Sequence, residues 1–292
     1  LSFVAGRLND LPLTNNHAIS FAYYFHAEEP GAGSVTLISY NIRQDTESDE
    51  GPKDWGQRKG MVSGYLLRKN AAVIGLQEVR HNQLLDLDKA LPGHAFLGVG
   101  REDGKTRGEY SPIFYDRKVW NLDPKENGTF WLSETPGIAN SRSWGNKHTR
   151  ICTWARLVAA NDPEKKKAIY IYNTHWDHQS QPARVNSALL MLKRIKERTH
   201  KEDPYILMGD LNATVENPAV KSLIGSGLLT DHGKNQYRSS SKWKAGLVPG
   251  LRIDHIFTAP SIEAEKLQVE SNGNADDWSG SDHHPVVLRI RK

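Results

Sequence analysis

The 292-residue chain contains one cysteine, Cys152. A single thiol excludes an internal disulfide framework and any metal site built from cysteine pairs. Its neighbours Ile151, Thr153 and Trp154 read as strand residues, so Cys152 is expected to be a small buried apolar side chain. Long apolar runs are missing too. None approaches the ~18 residues of a membrane-crossing helix, so no membrane span is expected. A strong charge of one sign is also absent: 38 Lys and Arg against 34 Asp and Glu leave +4. That tilts the chain towards anionic partners without marking a polyanion track. The basic runs Lys165-Lys166-Lys167 and Lys193-Arg194 through Lys201 read as solvated faces. There is no internal repeat and no low-complexity tract.

What is present suffices for a large core, with 38% hydrophobic and 25% charged residues. Residues 1–33 have mixed polarity and end in the breaker Glu28-Glu-Pro-Gly-Ala-Gly33, which reads as an N-terminal extension before a domain over 34–292. Apolar β-type runs recur at 35–42, 72–77, 112–115, 129–132, 152–159, 168–174, 205–208, 252–258 and 285–290. Residues 183–199 carry Val185, Ala188, Leu189, Leu192 and Ile195 on one helical stripe. Residues 58–69 and 84–90 are further helix candidates. Many strands with a few helices between them predict an α/β architecture of mixed sheets. The chain starts at Leu1 with no signal peptide, and Asn127-Gly128-Thr129 is a glycosylation sequon. Secretion is therefore expected in preference to a cytoplasmic location, and the protein is expected to be a monomer.

The polar residues of interest gather where these strands end. Asn41 closes the first run and Glu78 follows the second. Asn173, His175 and Asp177 alternate along one face at the end of the sixth. Asp210 and Asn212 follow Tyr205-Ile-Leu-Met208, Asp254 sits among apolar neighbours, and Asp282-His283 precede the last run. One Asn or Asp after a strand is ordinarily a turn former or helix cap. A buried carboxylate such as Asp254, however, needs a partner. Acidic oxygens, an amide and imidazoles repeated at six strand ends suit a hard divalent cation and an activated water. This predicts an enzyme acting on phosphate esters.

The ordered set Ser39-Tyr-Asn-Ile-Arg43, Gly75-Leu-Gln-Glu-Val79, Asn173-Thr-His-Trp-Asp-His178, Gly209-Asp-Leu-Asn212, Arg252-Ile-Asp-His-Ile-Phe257 and Ser281-Asp-His-His-Pro-Val286 resembles the endonuclease/exonuclease/phosphatase superfamily, whose fold is that of deoxyribonuclease I. The likeness covers about residues 34–292. Within the superfamily, Gly98-Val-Gly-Arg-Glu-Asp-Gly-Lys105, Gly108-Glu-Tyr-Ser-Pro-Ile-Phe-Tyr115 and Arg150-Ile-Cys-Thr-Trp-Ala-Arg156 resemble a bacterial and fungal subgroup of unsettled substrate.

The resemblance implies a four-layer α/β sandwich of two packed mixed β-sheets flanked by helices. It implies Glu78 and Asn41 as metal-side residues with Asp282 as a further carboxylate, and Mg²⁺ as the cofactor, with Mn²⁺ or Ca²⁺ as substitutes. It makes His283 the catalytic histidine, Asp254 its partner, and Asp210 and Asn212 the pair that orients water and phosphate. His175 and Tyr110 become phosphate contacts, with Glu109 in support. Arg43 departs from the carboxylate that abasic-site endonucleases place there, which puts a second metal ligand in doubt. The implied reaction is in-line attack of water on a phosphodiester, His283 acting as base or as electrostatic clamp. A nuclease on DNA or RNA, with Trp55, Trp144 and Trp243 as stacking residues, and a phosphomonoesterase on a sugar, inositol or lipid phosphate are the alternatives. A binding module without catalysis is a third.

Overall fold

The computed structural model describes residues 33–164, 166–233 and 236–291. The expected extension over 1–33 lies outside them apart from Gly33. In chain order the elements are β1 (Ser34–Asn41), α1 (Trp55–Lys69), β2 (Val73–Gln77), α2 (His81–Ala90), β3 (His94–Leu97), β4 (Ile113–Asp116), β5 (Trp120–Trp131), β6 (Ile151–Ala159), β7 (Ala168–His175), α3 (Gln181–Glu197), β8 (Tyr205–Asp210), α4 (Pro218–Gly225), β9 (Thr230–Asp231), β10 (Asp254–Thr258), β11 (Gln268–Val269) and β12 (Val286–Arg291). The strands form two six-stranded sheets, ordered β11-β12-β1-β2-β4-β3 and β5-β6-β7-β8-β10-β9. Pairs β1·β2 and β7·β8 are parallel and the remaining ladders antiparallel, so both sheets are mixed.

The side-chain period of two sorts each strand into an inner and an outer row. Val35 and Leu37 of β1, Ile169 and Ile171 of β7, Ile206 and Met208 of β8 and Ile256 of β10 fill the space between the sheets. The alternate residues Ile38 and Tyr40 join Val62, Leu66 and Leu84 under α1 and α2. On the other side Tyr170, Tyr172 and Leu207 join Ala188, Met191 and Val220 under α3 and α4. Helices, sheet, sheet, helices: this is the four-layer sandwich.

The inner rows turn polar as they run towards one edge. Past Leu37 come Ser39 and Asn41, past Ile171 come Asn173 and His175, and past Met208 comes Asp210, all buried. Gln77 donates to the Asn173 side chain at 2.7 Å, and Asn173 donates to the carbonyls of Leu76 and Pro112 at 2.8 Å each. These bonds seal the apolar layer against the edge. Gly75 leaves the needed space, since a Cβ there would lie 2.5 Å from the Met208 sulfur and 2.9 Å from Asn173. Parallel β1 and β2 end at that edge, as do β7 and β8. Antiparallel β10 begins there, with Asp254 paired to Asp210, and so does β12, just after His283.

The expected core strands and all three helices are present, with α1 starting earlier, at Trp55, and α2 at His81. β5 is longer than expected, reaching back to Trp120 through a register shift between Leu122 and Asn127. Asp123-Pro124-Lys125 inside it reads as a breaker, which a bulged edge strand tolerates. β3, β9, β11 and α4 were not expected. α4 is capped by the Asn217 side chain, which accepts from Ala219 N at 2.9 Å, with Pro218 in its first turn. Among the described residues no helix is long and apolar enough to cross a membrane.

Candidate active site

Two half-buried residues after strand ends take left-handed backbone conformations, Glu78 at φ 60° and Asn212 at φ 48°. For residues with a Cβ such geometry costs about 1–3 kcal/mol and is found where function requires a side chain to be aimed. Both side chains point into one cleft. Gly209, at φ 144°, lets β8 approach β7 closely just before Asp210: a Cβ there would lie 1.9 Å from the Thr174 carbonyl oxygen.

The cleft has a volume of about 450 Å³ and is lined by Glu78, His175, Asp210, Asn212 and His283 together with Arg43, Arg80, Arg101, Glu109 and Arg150. Asn41 Nδ2 lies 3.0 Å from both Glu78 Oε1 and Asp210 Oδ2. Glu78 Oε2 accepts from the Gln44 amide at 3.1 Å. Asp210 Oδ1 accepts from the Asn212 amide at 2.8 Å, while Asp210 Oδ2 lies 3.5 Å from His175 Nε2 and 3.8 Å from His283 Nε2. His283 Nδ1 donates to Asp254 Oδ2 at 2.8 Å. Asn212 Nδ2 donates to His175 Nε2 at 3.0 Å, which puts the His175 proton on Nδ1. Five distant segments thus converge on the one that carries Asp210 and Asn212.

The environment sets the charges. Burial opposes protonation of His283, but Asp254 beside it, with Asp210 and Asp282, raises its pKa well above the ordinary histidine value. Asp254 therefore holds His283 as a charged imidazolium whose Nε2–H faces the cleft. Burial pushes Asp210 up to about 7, and the neighbouring Asp254 adds to the effect. Burial, then Arg150 and Arg101, drives His175 well below its ordinary value, so it is neutral. Asp282 is raised by burial and, despite His283, also by Glu78.

The site residues expected from the sequence meet here with one exception. Tyr110 donates its hydroxyl to the Lys105 carbonyl at 2.9 Å and sits 3.0 Å from His81 Nδ1, outside the cleft lining. Glu109 beside it faces the cleft instead, bound to Arg101 at 2.7 Å and 3.8 Å from His175 Nδ1. Arg101, His148 and His178 also line the cleft. Nothing in their local sequence marks them, because they lie on loops without a period. Their one signal was the Gly98–Lys105 motif and the Asp177-His178 end of the β7 motif.

The donor set suits a divalent cation. Glu78 and Asp282 offer carboxylate oxygens, the ligands of hard ions, while Asn41 turns its Nδ2 to Glu78 and Asp210 and its Oδ1 accepts from the Arg43 amide at 3.0 Å; Cys152 is buried in the helix-side core. One ligand atom from each of Asp210, Asp254 and His283 also lies within 4.8 Å of the others. In that set, however, Asp254 is bonded to a charged imidazole, which repels a cation. The Glu78 side is the better metal position.

A larger hollow of about 1120 Å³ lies between residues 45–61 and 274–279. It contains none of the catalytic groups. Asp45, Glu47, Asp49, Glu50, Asp54 and Asp276 line it, so its potential repels phosphate.

This fold and this cluster define a hydrolase of phosphate esters. Residues 38–283 match the Endonuclease/Exonuclease/phosphatase family, and the chain belongs to it. The family consists of phosphoric ester hydrolases that depend on divalent metals. The structure is similar to that of a mannosyl-6-phosphatase from Bacteroides thetaiotaomicron VPI-5482, with 31% identity, a TM-score of 0.81, and coverage of 88% of this chain and 100% of that one. It is similar to an endonuclease/exonuclease/phosphatase from Bacteroides vulgatus, at 31% identity, TM-score 0.79, and coverage of 88% and 98%. A TDP2 from D. rerio, complexed with a single-strand DNA product, shares the fold at 17% identity and TM-score 0.67, covering 89% of this chain and 99% of that one. No curated protein matches the chain.

Proposed function

We propose that this chain is a Mg²⁺-dependent hydrolase of a small phosphate monoester. The sequence alone favoured a phosphodiester, with nucleic acid among the alternatives. The observation that carries the present reading is the charge around the cleft. Inside, four arginines and the charged His283 alternate with Glu78, Glu102, Glu109 and Asp210; immediately beside it, across the Arg43–Asp49 ion pair at 2.8 Å, lies the acidic hollow. A compact monoester dianion with three free oxygens can meet His283 and the cation position without leaving the cleft. An extended polyanion would have to cross the acidic flank. Among the described residues no aromatic ring other than histidine lines the cleft to stack a base. Trp55 is buried with its Nε1 donating to Asp86 at 2.9 Å, Trp144 packs against the α3-side core, and the Trp243 ring carries Lys53 and Arg58. The 31%-identical mannosyl-6-phosphatase fits the same reading.

Glu78 and Asp282 would hold the cation, with Asn41 orienting Glu78 through its Nδ2; the cation when bound would supply Lewis-acid stabilisation of charge on the phosphoryl group. The chain's own groups do the rest. His283, fixed by Asp254 on Nδ1, presents Nε2–H to a phosphoryl oxygen as an electrostatic clamp. Asn212 Nδ2 commits its two hydrogens to His175 Nε2 and to the Trp176 carbonyl, at 3.0 Å each, which fixes the turn whose Asn212 amide holds Asp210. Asp210 is held by Asn41 and by the Asn212 amide, so one carboxylate oxygen can orient the attacking water and take its proton.

The test is a comparison of p-nitrophenyl phosphate, bis-p-nitrophenyl phosphate and labelled single-stranded DNA with Mg²⁺, using His283→Ala as the blank. The expected order is monoester first and DNA last. Faster cleavage of DNA or of the diester than of the monoester overturns the reading.

A further inference from the structure

His175 divides the cleft. Its Nε2 faces Asp210 and Asn212, where the phosphoryl group would react, and its Nδ1 faces the other way, towards Glu109 at 3.8 Å. Beyond that ring lies a second polar wall that the chemistry above does not use. Arg101, half-buried, holds Glu109 at 2.7 Å, and its own carbonyl accepts from Trp131 Nε1 at 2.7 Å. Arg150, 5% exposed, donates through Nη2 to His178 Nδ1 at 3.0 Å. That bond leaves the His178 proton on Nε2, at the exposed rim of the cleft. His148 stacks on His178 with centroids 5.7 Å apart.

Among the described residues three buried polar atoms of this wall have no hydrogen-bond partner: Arg150 Nε and Asp177 Oδ2, which face each other at 3.9 Å, and His175 Nδ1, a donor 3.8 Å from Glu109. Buried donors are normally satisfied, so unsatisfied ones lining an open cleft point to a ligand or its waters. The charge of the wall identifies the kind of ligand. Arg101 and Arg150 are offset by Glu102 and Glu109 in the lining and by Asp177, whose Oδ2 lies 3.9 Å from Arg150 Nε. Burial and the nearby arginines lower both His148 and His178, leaving neutral rings that donate and accept. A near-neutral surface with donors and carboxylate acceptors interleaved does not select a second anion. It matches a group that both donates and accepts at several points: an array of hydroxyls.

We propose that Arg101, Glu109, Arg150 and the stacked pair His148–His178 form a leaving-group subsite that recognises the hydroxyls of a sugar phosphate. This rests on the monoester reading and adds the substrate class.

The test separates the two claims by measuring binding in a chain that does not turn over. Hexose 6-phosphates (mannose, glucose and galactose) and phenyl phosphate are titrated calorimetrically into the Mg²⁺-loaded Asp210→Asn chain, with and without His178→Ala. At least one hexose phosphate is expected to bind more tightly than phenyl phosphate. His178→Ala is expected to reduce that advantage about five- to tenfold, the worth of one or two neutral hydrogen bonds. His178→Gln, which keeps a donor and an acceptor, should restore part of it. His178 is exposed, so the variants should melt with the parent. Phenyl phosphate binding as tightly as every hexose phosphate, or an advantage untouched by His178→Ala, overturns the subsite. Sugar binding that behaves as expected in a wild-type chain unable to hydrolyse any monoester overturns the proposed function alone.

Discussion

Replacing Arg58 with Met should disable this protein through its metal side without touching the cleft. Arg58, 2% exposed, reaches from α1 under two site loops. Its guanidinium donates to the carbonyls of Ile42, of Arg43 at 2.7 Å and Gln44 at 3.3 Å in one loop, and of Gly280 at 3.3 Å in the other. Its Nε donates to Lys53 O at 2.8 Å, and its plane lies 5.0 Å from the Trp55 ring and 5.5 Å from that of Trp243. The first loop carries Asn41 and the Gln44 amide that binds Glu78, and the second leads into Asp282 and His283. Met fills much of the volume but serves no carbonyl. Leaving a buried acceptor unsatisfied costs about 1–3 kcal/mol. Three of these five bonds are at or below 2.8 Å, and some of the carbonyls freed will find water. A loss of about 3–5 kcal/mol of stability follows. Urea unfolding measures it, and a Mg²⁺ titration of activity below the transition should show a weakened apparent affinity. Arg58→Lys keeps the charge but cannot span both loops, so it should fall between. A loss below about 1 kcal/mol with an unchanged metal titration would refute the role given to Arg58.

Other outcomes follow from the same geometry. His283→Ala should lower kcat about 10²–10³-fold, the loss of one preorganised electrostatic donor worth about 2.7–4 kcal/mol, and should also lower the melting temperature, because it strips the buried Asp254 of its partner; steady-state kinetics on the preferred monoester, measured below the transition, checks it. Glu78→Gln should raise the Mg²⁺ concentration for half-maximal activity about tenfold or more, and an unmoved midpoint would remove Glu78 as a ligand. Gly209→Ala should fail to fold or melt far below the parent, because its Cβ would meet the Thr174 carbonyl at 1.9 Å in a backbone region that favours glycine.

Much of the sandwich was legible because the inner strands are apolar on both faces. Runs such as Tyr205-Ile-Leu-Met208 are buried between one sheet and a helix layer, and they stand out without alternation. β3, β9 and β11 are short edge or near-edge strands whose few residues carry no pattern. β5 hides its first half behind Asp123-Pro124, since an edge can accept a proline and a bulge. The metal-side and acid–base residues were legible because they extend inner rows of the same strands, so that Asn41, His175 and Asp210 continue Leu37, Ile171 and Met208. Residues on loops were not. His148 and Arg101 reach the cleft through turns held by tertiary bonds such as Trp131 to the Arg101 carbonyl, which leave no trace in spacing. Tyr110 shows the converse: adjacent to Glu109, it faces the other side of the loop, towards His81, and only coordinates reveal which neighbour enters the cleft.

One cation and one phosphate should meet between Glu78 and His283. Anomalous diffraction from crystals soaked in Mn²⁺ and inorganic phosphate tests it most directly. A manganese peak is expected against the carboxylates of Glu78 and Asp282, with the phosphate between that ion and His283 Nε2. A peak only among the acidic residues of the neighbouring hollow, or directly between Asp254 and His283, would contradict it.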